Sequence, residues 1–321
     1  MVYYQPNKTN FIIMEDQHYN GDIWNHEAFA LLKKFGWHRI GDYDMDVPGS
    51  DGKKMGIDTI VEFETPLKTK PQLAILEAKC YKTTSFNKGL LQEWIEKLDK
   101  KLLKLRNSAS FIEKFPEVEN CTIADTGVIA VWFSDTENYN SFQPRFIEAL
   151  RQVSVSTRDR RAGSSKIFVI DNTRFMKLFA LHTAISNIKD CTLDKFNFVY
   201  SARFIGNEPV ARSKTLTIEY IFSDIIFAET KDNEKTFSYI FYFGQLNLPS
   251  FRLVREAYSK TPLWDKNVGI YLYVYDADAD FRKIESEIKE TVFNGFTITI
   301  RKMARNNNIP DFLLNLTDDE Q

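Results

Sequence analysis

The chain reads as an α/β domain, a mixed central sheet flanked by helices, followed by a C-terminal α+β unit. Three observations carry that reading. Over the first 188 positions, apolar residues recur by turns at helical and at strand spacing. Beyond Lys189 the pattern changes to long β-rich, aromatic runs. The length of 321 residues is ample for two cores, and a composition of 43% hydrophobic and 27% charged residues is that of a folded chain.

Taken in order, DIWNHEAFALLKKF (Asp22 to Phe35) places Ile23, Trp24, Ala28, Leu31, Leu32 and Phe35 at helical spacing, and Gly36 stops the helix. A short strand, WHRI, precedes a polar loop, GDYDMDVPGSDGKK. Two strands then carry the runs Thr59-Ile60-Val61 and Leu73-Ala74-Ile75-Leu76, joined by a turn around Pro66-Leu67-Lys68. Ser85 or Asn87 is placed to cap a helix from about Lys88 to Arg106, whose leucines and Ile95 form one stripe and whose lysines form another. Asp125 to Ser134 reads as a buried strand, Phe142 to Val153 as a helix, Lys166 to Asp171 as a strand and Thr173 to Ile188 as a helix. Alternation of this kind predicts a mixed sheet covered by helices over residues 1–188. In residues 189–321, FNFVYSARFI, KTLTIEYIFSDIIFAE and KTFSYIFYFGQL are runs of the antiparallel type. A helix around Ser250 to Tyr258, the strand VGIYLYVYD, a helix from Asp280 to about Phe293 and the strand FTITIRK complete this second unit.

A net charge of -2 gives no global basic field, so any nucleic-acid surface has to be local. Cys80, Cys121 and Cys191 show neither zinc spacing nor a disulfide framework, which fits a reducing cytosol. The four histidines are scattered without ligand spacing. With no signal-like N-terminus and no apolar run of spanning length, a soluble cytoplasmic protein with no membrane contact is expected.

Charges stand where buried strands should not carry them. Asp58 opens one apolar run, and Glu77 closes the other with Lys79 two residues on. Residues two apart on a strand share a face, so adjacent strands would gather two carboxylates and an ammonium. Hard carboxylate oxygens suit Mg²⁺ or Mn²⁺, and a neighbouring lysine can hold a phosphate oxygen or a water. The same residues also have ordinary readings: a cross-strand ion pair for Glu77 and Lys79, a turn residue for Asp58.

In this order, GIDTI followed by LEAK on the next strand, with Glu27 on a preceding helix, resembles the PD-(D/E)xK restriction-endonuclease-like superfamily. The nearest flavour is that of the Mrr and Holliday-junction-resolvase groups, over roughly the first 180 residues. The resemblance implies a metal-binding aspartate at Asp58, a second acidic ligand at Glu77 and a water-orienting lysine at Lys79. It further implies an accessory acid at Glu27, a metal-contacting carbonyl at Ala78 and, most loosely, a site glutamine at Gln92. A glutamate near a helix start, such as Glu27, is also ordinary for dipole reasons. By analogy the function expected is Mg²⁺- or Mn²⁺-dependent hydrolysis of DNA, in a bacterial system restricting phage or plasmid DNA. The alternatives are a nuclease-fold scaffold without catalysis, or an RNase.

Further candidates for nucleic-acid contact are Arg158, Arg160, Arg161 and Lys166 around STRDRRAGSSK, and Lys82 and Lys88 just past the site strand. The stripe Lys97, Lys100, Lys101, Lys104 reads as a solvated face. Asp276, Asp278 and Asp280 resemble the opening of a calcium loop, but Phe281 stands where that loop needs glycine, so helix capping is the better reading. Aromatics at period two in SYIFYFGQL and IYLYVYD suggest one core face and one partner face, hence a homo- or hetero-oligomer formed through the C-terminal unit.

Overall fold

The computed structural model describes residues 21–310 apart from 22, 67, 107, 155–164, 189–194, 201–210, 233–234 and 265–266. Helix α1 spans residues 23–33. It buries Trp24, Ala28, Leu31 and Leu32, and the Trp24 indole donates to the Ala130 carbonyl at 3.0 Å. Ile23 leaves this face and is exposed. Strands β1 (Trp37–Ile40), β2 (Met45–Pro48), β3 (Lys54–Ile57), β4 (Thr59–Phe63) and β5 (Gln72–Tyr81) follow. The expected polar loop therefore contains a strand: β2 pairs antiparallel with β3, because Val47 and Ile57 supply a buried pair in an otherwise polar stretch.

Asn87 caps α2 (Lys88–Leu105), accepting from the Leu90 amide. Helix α3 (Ala109–Lys114), which the sequence did not announce, is capped by Ser108. Next come β6 (Thr126–Phe133), α4 (Thr136–Arg151), β7 (Lys166–Ile170) and α5 (Asn172–Ser186). Helix α4 starts six residues before the expected Phe142. The stretch before Phe142 is polar except for Tyr139, and that one buried ring, its hydroxyl donating to Asp171 at 2.6 Å, anchors the first turn. The sheet runs β1-β4-β5-β6-β7, antiparallel from β1 to β5 and parallel from β5 to β7. Strand alternation divides its core in two. Leu73 and Ile75 of β5 pack with α2 and α4, and Ala74, Leu76 and Ala78 pack with α1 and α5.

The rest comprises β8 (Phe196–Tyr200), β9 (Ala211–Ser213), α6 (Ile218–Ile221), β10 (Ile225–Asp232), β11 (Lys235–Tyr242), α7 (Leu248–Ser259), β12 (Asn267–Tyr275), α8 (Phe281–Glu287) and β13 (Ile298–Met303). Their sheet order is β13-β12-β11-β10-β8-β9. It is antiparallel only in part, since β11, β12 and β13 run parallel with α7 and α8 as the connections. The run 214–229 is not one strand: Ile218 and Ile221 bury in the short α6 before β10 begins. Both faces of the aromatic strands are covered. Ile240, Tyr242, Leu272 and Val274 pack with α7 and α8, and Tyr239, Phe241 and Tyr273 join the cluster that also holds α1 and α5. Asp278 accepts from the Phe281 amide at 2.9 Å, so the aspartate run does cap α8. Among the described residues, no helix is long and apolar enough to cross a membrane.

One seam joins the two sheets. The Leu216 amide donates to the Phe35 carbonyl and the Trp37 indole to the Leu216 carbonyl, both at 2.9 Å. Gly36 sits at φ +81°, where a Cβ would lie 2.8 Å from Thr215 Oγ1 and 3.1 Å from Thr215 Cα. Gly36→Ala therefore combines left-handed strain with a clash against backbone. It is expected to destabilise the chain by roughly 1–3 kcal/mol, measured by chemical denaturation.

Candidate active site

Strand β5 leaves the core at its C-terminal end, its burial giving way at Lys79. Glu77 remains buried among apolar neighbours, and Asp58 sits at the one-residue break between β3 and β4. Antiparallel pairing sets Thr59 opposite Leu76, which brings Asp58 level with the Glu77 end of β5. The Ala78 amide donates to Asp58 Oδ2 at 2.8 Å. Lys79 Nζ donates to Asp58 Oδ2 at 3.3 Å and to Glu77 Oε2 at 3.4 Å. Two carboxylates and an ammonium thus converge at one end of the sheet.

The site also contains a group assigned by its pattern to solvent. Lys101 of α2 places its Nζ 2.5 Å from Glu77 Oε1. Burial and the charge of Asp58 raise the Glu77 pKa above its ordinary value, against the pull of Lys79 and Lys101. Burial alone would lower the Lys79 pKa, but Glu77 and Asp58 outweigh it and hold the ammonium's pKa above the usual lysine value. The other lysines of the stripe differ: Lys97 pairs with Glu93 in solvent, and Lys104 with Asp51. Lysines on the polar face of an amphipathic helix look alike in sequence, so only the tertiary placement of α2 singles out Lys101.

Asp58 is braced from behind. Asn25 Nδ2 donates to the Asp58 carbonyl at 3.2 Å and to Asp44 Oδ1 at 3.3 Å, while Thr59 Oγ1 donates to Asn25 Oδ1 at 2.9 Å. The Asp44 amide also donates to the Asp58 carbonyl, with Asp44 itself at φ +51°. Left-handed backbone in a residue other than glycine is uncommon, though aspartate tolerates it better than most. Neither Asn25 nor Asp44 stood out from its sequence context. A cleft of about 710 Å³, within the usual range of ligand sites, is lined by Asp44, Asp58, Glu77 and Lys79 on one side and by Lys97 and Lys101 on the other.

The remaining candidates lie elsewhere. Glu27 is buried on α1 and does not line the cleft. Its charge acts instead on Cys80, whose thiol is pushed up to about 11 by burial first and Glu27 second. The Gln92 amide is engaged with Ser154, donating to its carbonyl at 2.7 Å and accepting from its N–H at 3.3 Å, and it also donates to Glu96. Lys82 and Lys88 are exposed, and Lys88 donates to Gln152. Lys166 opens β7, exposed. Arg158, Arg160 and Arg161 lie outside the described residues. Among the described residues, no group of three His, Cys, Asp or Glu side chains is gathered closely enough to hold a metal. Asp58 and Glu77 still fit Mg²⁺, which binds through one or two carboxylates and completes its shell with water and phosphate oxygens.

The family model described as the GAPS4 protein PD-(D/E)XK nuclease domain matches residues 14–174, half of the chain. The chain belongs to this family. The matched stretch runs from α1 through β7 into α5, so the PD-(D/E)XK nuclease domain contains Asp58, Glu77, Lys79 and Lys101, while the second sheet lies beyond it. Neither a curated protein nor a solved structure matches the chain.

Two measurements check these electrostatics. Burial raises the Glu27 pKa to about 7. The folded state then holds a proton that the unfolded state releases near pH 4.5, so Glu27 costs stability as pH rises from about 4.5 to 7. Glu27→Gln is expected to raise the melting temperature at pH 8 and to leave it unchanged at pH 4. For Lys101 and Glu77, a double-mutant cycle of Lys101→Ala and Glu77→Gln should return a coupling of about 1–2 kcal/mol in denaturant unfolding.

Proposed function

We propose that the chain is a nuclease hydrolysing phosphodiester bonds of DNA with the help of Mg²⁺ or Mn²⁺. The observation that supports this most directly is the convergence of Asp58, Glu77 and Lys79 at one end of the sheet, inside a PD-(D/E)XK nuclease domain. Asp58 and Glu77 would hold the ion. When bound, it supplies Lewis acidity and a water of lowered pKa. Lys79, kept charged by its two carboxylate neighbours, is placed to orient the attacking water or hold a phosphate oxygen. Lys101 fixes the direction of Glu77 and supplies charge that offsets carboxylate repulsion while the site is being loaded.

DNA is taken as the substrate because most of the superfamily acts on it. Lys82, Lys88 and the arginines of residues 155–164 are the positions we assign to its backbone. The chain is taken to divide functionally into residues 1–188, the nuclease part, and 189–321, which selects the substrate or a partner protein. With a net charge near zero, part of the grip on DNA falls to such a partner, as a homo- or hetero-oligomer. The setting we infer, by analogy, is a bacterial system that restricts phage or plasmid DNA.

Cleavage of plasmid and linear DNA with Mg²⁺ or Mn²⁺, by wild type and by Lys79→Ala, tests the reading. Lys79→Ala should lower the rate by about 10²–10³ while circular dichroism shows a folded chain. Equal rates in both proteins would leave a nuclease-fold scaffold as the better account. Degradation of RNA with DNA untouched would overturn the choice of substrate.

A further inference from the structure

The cleft changes chemistry along its length. On β5, the face that carries Glu77 and Lys79 continues two residues on with Tyr81, about 7 Å further along the strand. On the opposite wall, α2 runs the other way: Lys101 faces Glu77, and Trp94 and Leu90 lie toward Tyr81. The Tyr81 and Trp94 rings are 5.1 Å apart at 47°. Trp94 is nearly buried and Tyr81 only half-buried, so the tryptophan backs the ring and the tyrosine presents it to the cleft. The Tyr81 carbonyl accepts from the Ser134 amide at 2.9 Å, which fixes the backbone beneath the ring. Lys82, exposed, follows directly.

One end of the cleft therefore gathers Asp58, Glu77, Lys79 and Lys101, and the other adds the Tyr81 and Trp94 rings beside the Glu93–Lys97 ion pair, an order that matches a nucleotide with its phosphate and its base. We propose that the aromatic end receives an unpaired nucleobase against Tyr81, next to the scissile phosphate, so that the site works on single-stranded or locally unpaired nucleic acid. The inference rests on a phosphate occupying the carboxylate–lysine end, as the nuclease reading requires. Inside a duplex both faces of a base are covered by its neighbours, and reaching a recessed ring means leaving the stack. A single strand offers those faces freely, and stacking on an aromatic side chain accepts any base.

The test measures binding of the full chain in a chelating buffer, where no turnover occurs. Fluorescence anisotropy compares labelled oligo(dT), the same oligomer with abasic sugars, and a blunt duplex, for wild type, Tyr81→Phe and Tyr81→Leu. Oligo(dT) should bind about tenfold tighter than the abasic oligomer to wild type and to Tyr81→Phe. Tyr81→Leu should lose that difference while keeping its affinity for the duplex. The same loss with oligo(rU) would support the contact for an RNA strand as well. Abasic and oligo(dT) oligomers bound equally by wild type, or an equal loss on duplex and single strand in Tyr81→Leu, would overturn the proposal. Because nothing is cleaved, a failure of the nuclease reading appears separately, in the Lys79→Ala assay.

Discussion

Two negative groups are held within reach of one another at the exit of a buried sheet, and this repulsion is the constraint that organises the site. Glu77 cannot retreat from Asp58, because it is fixed on a strand whose preceding residues are locked in two cores. Ionised and uncompensated, a carboxylate buried as deeply as Glu77 would cost several kcal/mol. Compensation arrives from two directions, from Lys79 on the same strand and from Lys101 on the helix packed across it. The positive charge is thus distributed around Glu77, one ammonium at each oxygen. The neutralising charges sit on flexible stems, so they are able to shift around the two carboxylates without moving the sheet.

The scaffold explains why that geometry is kept. Asn25, Asp44 and Thr59 form a polar brace around the Asp58 backbone, so the loop between β3 and β4 does not have to hold its shape alone. Asn25 is almost fully buried, and each of its amide atoms has a partner in the brace: the nitrogen donates to the loop, and the oxygen accepts from Thr59. Buried polar groups of this kind are stable only when paired, which makes the brace a strict determinant of local structure.

Much of this was legible in the chain because charges interrupting apolar runs are expensive and hence informative. Asp58, Glu77 and Lys79 were visible for that reason, and so was the mixed sheet, whose strands and helices alternate in period. What stayed hidden depended on which face of a helix meets which partner. Periodicity alone did not separate Glu27, buried beside Cys80, from Asn25 two residues earlier, which braces the site. Nor did it separate Lys101 from its solvated neighbours, or show that the Gln92 amide is engaged with Ser154. In the second unit, β-rich composition announced strands but not their direction: α7 and α8 make β11, β12 and β13 parallel. The aromatic strands looked half-exposed because alternation does not reveal that another layer covers the second face.

The tight seam at Gly36 gives α1 an unusual position. Near one end, Asn25 grips the backbone of Asp58; just past the other, Gly36 abuts Thr215 of the C-terminal part with no room for a methyl group. Between them lie eight residues of helix, a stiff strut about 12 Å long. The aspartate loop and the Thr215 seam thus share one rigid support, and a change in how the C-terminal sheet packs there would bear on the same helix that holds the Asp58 backbone.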